Sequence, residues 1–111
     1  MTGHDPQMLK GVLSLLLLRL CAEQEDYGYS IVVRLQQSGF SELAEGTVYP
    51  ALTRLESQGF LVARLVRSSS GPARKYYAVT AAGEAEAARA GQAWDGLVKA
   101  VEAIRTQGVS S

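Results

Sequence analysis

The chain has 111 residues, with 11 Lys and Arg against 11 Asp and Glu, a formal net charge of zero, and 47% apolar residues. This length fits one domain with a thin core, and the balanced charge excludes a global basic field, so any attraction to phosphate must come from a local patch. A single cysteine, Cys21, excludes an internal disulfide framework and a multi-thiolate metal site, and suits a reducing cytosol.

In chain order, Met1 to Pro6 read as a loose leader, followed by a first helix over Met8 to Ala22 that is apolar on most sides. Its run VLSLLLLRLC is too short to span a membrane and contains Arg19, so it is expected in the core of a cytoplasmic protein. The cluster Glu23 to Asp26 closes this helix, and Gly28 interrupts the pattern. Ser30 to Gln37 then forms a second helix with Ile31, Val32 and Leu35 on one face, ended by Ser38 and Gly39. After the connector FSELAE, a third helix is expected to start at Thr47 as N-cap, with Pro50 in its first turn and Gly59 as its stop. Val48, Leu52, Leu55 and Phe60 turn inward. Thr47, Tyr49, Thr53, Arg54 and Gln58 turn outward.

Phe60 to Arg67 and Ala73 to Val79 have strand composition around the turn residues SSSGP, which together predict a hairpin. Thr80 is the expected cap of a last helix reaching about Arg105, with Glu84 and Glu86 favouring its N-terminal end. The order of elements predicts a mainly α fold with a small β-hairpin: a winged helix-turn-helix over residues 1–79 and a C-terminal helix over 80–111, packed as one unit. Between Arg54 and Lys75 the cations Arg54, Arg64, Arg67, Arg74 and Lys75 face one acid, Glu56, a local balance of +4 where a nucleic-acid reader would carry charge.

Four segments, QMLKGVLSLLLLRLC, DYGYSIV, GTVYPALTRLESQGFL and GPARKYYAVTAAG, together resemble the PadR family of bacterial transcriptional regulators, in particular its short members with a single C-terminal dimerisation helix. The resemblance implies a homodimeric repressor that binds a double-stranded DNA operator, with Thr47, Tyr49 and Pro50 at the DNA-facing start of the recognition helix. Thr53 and Arg54 continue that surface, and Tyr29 stands at the start of helix 2, where outward amides could hold a phosphate. Gly71, Arg74 and Lys75 are the expected wing contact, with an ordinary solvated hairpin as the alternative. The plain alternative has Tyr49 in the core and Arg54 paired with Glu56 or solvent; packing against helix 1 is the alternative for Tyr29.

Trp94, Leu97, Val98, Val101 and Ile104 recur at helical spacing, an apolar stripe that a thin domain has little means to cover, and homodimerisation is its expected use. In some relatives a tryptophan at the matching place stacks on planar aromatic effectors; an ordinary interface anchor is the alternative for Trp94. A small-molecule-binding dimer with little DNA affinity is the main rival function, and a protein-interaction adaptor is the second. His4 and Cys21 are the only soft metal ligands, and no nucleophile and base constellation or phosphate loop is present, so neither a cofactor nor catalysis is expected.

Overall fold

A computed structural model describes residues 3–107. The elements run α1 (Pro6–Glu23), β1 (Asp26–Tyr27), α2 (Gly28–Gln37), α3 (Glu45–Ser57), β2 (Leu61–Val66), β3 (Arg74–Val79) and α4 (Ala81–Arg105). The strands form one antiparallel sheet in the order β1-β3-β2. Leu17 and Leu18 of α1 are fully buried with Ile31 and Leu35 of α2, Leu52 and Leu55 of α3, and Leu61 of β2. The central helix is thus the one whose apolar residues continue around its circumference.

The supposed leader is partly tied down. His4 donates its backbone N–H to the Glu42 carboxylate, its Nε2 lies 3.0 Å from the Gly39 carbonyl oxygen, and its ring meets Phe40 at a centroid distance of 5.0 Å. Asp5 then caps α1 by accepting from Gln7 N at 2.8 Å, and Pro6, with its preset φ, opens the helix. Met1 and Thr2, the rest of that segment, lie outside the described residues, as do residues 108–111 at the end of the expected C-terminal unit.

Gly28 does not break a pattern; it is the first residue of α2, directly after the two-residue strand β1 that the sequence reading missed. That junction is built around Asp26, which is only 4% exposed. Its carboxylate accepts from Tyr27 N at 2.9 Å, Ser30 Oγ at 2.6 Å and the Arg34 guanidinium at 3.2 Å. Arg34 also donates to the Leu20 carbonyl at 3.0 Å and pairs with Glu23 at 3.1 Å, so one side chain joins the end of α1, β1 and α2. Arg34→Met would leave a buried carboxylate without its cation, and we expect a loss of about 3 kcal/mol in urea unfolding.

α2 and α3 end alike. Gly39 and Gly59 have φ of 106° and 83°, left-handed values that favour glycine, and in each case two amides turn back onto the last helical turn. Gly59 N donates to Glu56 O and Phe60 N to Leu55 O, both at 3.0 Å, which satisfies carbonyls that would otherwise be orphaned. The start of α3 differs from expectation. Ala44 is the N-cap, and Thr47 is the third helical residue. Leu43, buried at 4% exposure, anchors the chain early, and Glu45 suits the positive end of the helix. Pro50 therefore lies beyond the first turn, and the outward-facing Gly46 carbonyl receives no amide from it.

Thr80 caps α4 as expected, its Oγ1 accepting from Gly83 N at 2.9 Å. Gly83 and Ala87 are the buried residues of this helix, which packs against α1; from Gln92 to Gln107 every residue is exposed. The radius of gyration, 16.5 Å, exceeds the roughly 13 Å of a compact chain of this length because α4 extends past the body.

Candidate nucleic-acid interface

α3 has a dry stripe of Val48, Ala51, Leu52 and Leu55. Facing away from it are Gly46, Pro50, Thr53 and Ser57, all exposed. The centre of this surface is short and uncharged, so the helix backbone can approach a partner closely. Gly46 and Ser57 were not among the expected site residues; Ser57 follows Thr53 at the i, i+4 spacing that would have revealed it.

Tyr49 and Arg54 occupy opposite flanks, five residues and about 140° of helix turn apart. Arg54 leans towards α1, with a guanidinium nitrogen 3.3 Å from Ser14 Oγ. It does not pair with Glu56. Thr47 is exposed on the same flank. Tyr49, 41% exposed, lies over the start of α2, where a Cβ on Gly28 would come within 2.8 Å of its Cε1. Burial, reinforced by Glu45, Tyr77 and Tyr29, pushes its phenol above the ordinary value, so it stays a hydrogen-bond donor at neutral pH. Tyr29 is exposed beside it at the second position of α2. Gly28→Ala is expected to push the Tyr49 ring aside and shift its NMR resonances while stability stays within about 1 kcal/mol, because the crowded atom is the edge of a movable side chain.

On the wing, Arg74 and Lys75 are adjacent in sequence and part company in space. Successive strand residues face opposite sides of a sheet. Arg74 lies on the outer side, its guanidinium 4.5 Å from the centroid of Tyr27, which in turn meets its register partner Tyr76 at 5.3 Å. Lys75 shares the inner side with buried Tyr77 and pairs with Glu56 of α3 at 2.9 Å. Gly71 is exposed in the connecting turn. Arg64 makes a two-pronged bond to Glu25 at 2.7 and 2.8 Å. Among the described residues, then, Arg54, Arg67 and Arg74 are the cations of this region without a carboxylate partner, and the local excess is smaller than the +4 counted along the chain.

The second candidate surface is on the far part of α4. Trp94 is 45% exposed and Ile104 70%, and Leu97, Val98 and Val101 between them are exposed as well. Among the described residues, none of the body buries them. Cys21, by contrast, is buried, and burial raises its thiol to about 11, which leaves almost no thiolate at neutral pH. No group of His, Cys, Asp and Glu among the described residues could hold a metal, and no described helix is long and apolar enough to cross a membrane.

Three helices, the second and third joined by a connector over residues 38–44 with Gly39 near its start, and a hairpin packed beside the third define a winged helix-turn-helix protein. The chain belongs to the PadR-like family of transcriptional regulators, whose family model matches residues 17–89. It is 36% identical over 76 residues to transcriptional regulator Rv3488 of Mycobacterium tuberculosis, covering 68% of this chain and 69% of the relative. A Streptococcus transcriptional regulator of known structure is 37% identical with a TM-score of 0.80, over 91% of this chain and 99% of the other. A PadR-like regulator from Bacillus cereus is 36% identical with a TM-score of 0.78, over 88% and 95%.

Proposed function

We propose that the protein is a homodimeric repressor that binds a pseudo-palindromic DNA operator in the cytoplasm. Each subunit would lay the Gly46, Pro50, Thr53 and Ser57 face of α3 in a major groove, with half-sites about one or two helical turns apart. The observation that carries this reading is the outward face of α3, free of charge at its centre and flanked by the donors Thr47 and Arg54 on one side and Tyr49 on the other. Tyr29 of α2 and Gly71 of the wing, both exposed, would add to this contact. Arg54 and Arg74 would supply the phosphate attraction.

The test is fluorescence anisotropy on DNA from upstream of the protein's own gene and on a random duplex of equal length. A preference for the first at physiological salt is the expected result, and equal affinity at every salt concentration would overturn the reading. Arg74→Gln should weaken both complexes alike and flatten the plot of log affinity against log salt by about one unit. An unchanged slope would remove Arg74 from the contacts.

A second reading is favoured by the 45% exposure of Trp94 on the uncovered part of α4. Paired arms would offer its ring as a platform for a planar aromatic effector. Quenching of Trp94 fluorescence by such compounds, with loss of the DNA complex, marks an effector-released repressor; quenching by a protein that never shifts DNA marks a small-molecule binder instead.

A further inference from the structure

We propose that Lys75 and Glu56 form a latch that sets the wing against the recognition helix, making Lys75 a positioning residue and not a phosphate contact. The inference deepens the operator-binding reading and rests on it. Lys75 stands opposite Leu65 near the outer end of the hairpin, just after the turn of residues 67–73. Its ammonium lies 2.9 Å from a Glu56 oxygen and 5.4 Å from the centroid of the Tyr77 ring. Tyr77 is buried and fixed in the sheet between Asp26 and Ala63, so the cation is held from beneath as well as from the side.

The partner explains the arrangement. Glu56 is the only acid from Gly46 to Ser57, and a bare carboxylate there would repel a phosphate strand approaching α3. Pairing with Lys75 cancels that charge and joins the outer part of the hairpin to the last turn of α3. The hydrogen bond to Glu56 is also the main reason the Lys75 ammonium is held above its ordinary value. Arg74, on the other side of the same strand and without a carboxylate, is left as the wing's phosphate ligand.

Lys75→Gln, Glu56→Gln, the double variant and Lys75→Arg are compared in the full chain, on operator and random DNA across a salt series. Each single Gln variant should lower the ratio of operator to random affinity roughly five-fold, the double variant should be no worse than either single, and Lys75→Arg should keep the wild-type ratio. Lys75→Gln should leave the salt slope unchanged. Glu56→Gln should steepen it by about one unit, because the released ammonium can then reach phosphate. A slope flattened by about one unit in Lys75→Gln, with a wild-type ratio in Glu56→Gln, would overturn the latch. Hydrogen exchange of the β2 and β3 amides in the protein without DNA separates the two readings: faster exchange in both single variants supports the latch even if no DNA binds, and unchanged exchange overturns it even if the operator reading holds.

Discussion

Gly83→Ala is expected to destabilise the protein by roughly 3 kcal/mol, even though alanine is intrinsically the better helix former by about 1 kcal/mol. A Cβ at this position would lie 2.0 Å from the Phe60 carbonyl oxygen, 2.9 Å from the Phe60 carbonyl carbon and 2.7 Å from Val79 Cγ2. A crowded side-chain tip could swing away; the Phe60 carbonyl cannot. It accepts from Thr80 N at 3.1 Å, and Thr80 Oγ1 donates to Gly59 O at 2.7 Å while accepting from Gly83 N. The glycine-ended turn after α3 and the cap of α4 are therefore one bonded assembly, and added volume there must part the two helices. Against a total stability of about 5 to 15 kcal/mol for a domain of this kind, such a loss is large. Urea unfolding measures it, with Gly11→Ala as control, since nothing lies within 4 Å of a Cβ at Gly11. A Gly83 variant as stable as wild type would mean that the close approach of α4 to the α3–β2 turn is absent in solution.

What the sequence disclosed about this assembly and what it hid divide by distance along the chain. Thr80 and Gly59 were legible because a cap and a left-handed stop depend on a few neighbouring residues. The start of α3 was misplaced by three residues because Thr47 is a good cap locally, whereas the burial of Leu43 decides the matter. β1 has only two residues, too few for any periodicity, and exists because Asp26 and Tyr27 find Tyr77 and Tyr76 far along the chain. The charge pattern suffered in the same way. Counting cations between Arg54 and Lys75 located the right region, but Glu25 lies outside that window and quenches Arg64, and strand alternation sends Arg74 and Lys75 to opposite sides of the wing. Tyr27 as the seat of the Arg74 guanidinium had no local signal at all.

The second large effect is expected on the arm. Leu97→Glu with Val101→Glu should turn a dimer into a monomer and weaken operator binding by about 100-fold or more, while the body of the protein stays folded. Both side chains are exposed on the part of α4 where every described residue is exposed, and neither belongs to the buried core, so the substitutions leave the core packing intact. In a dimer the same side chains would be covered, each contributing about 1.5 to 3 kcal/mol, and two carboxylates per subunit would face each other instead. In the proposed dimer, loss of pairing would separate the two recognition helices, and the second half-site could then no longer be held at the high effective concentration that a rigid pair provides. Sedimentation velocity gives the oligomeric state, circular dichroism and urea unfolding the integrity of the body, and anisotropy the affinity. A wild-type chain that sediments as a monomer at tens of micromolar, or a variant that remains dimeric and binds operator normally, would assign the arm to some other partner; a monomeric variant with intact folding and lost discrimination would tie the apolar stripe of α4 to the reading of DNA by α3.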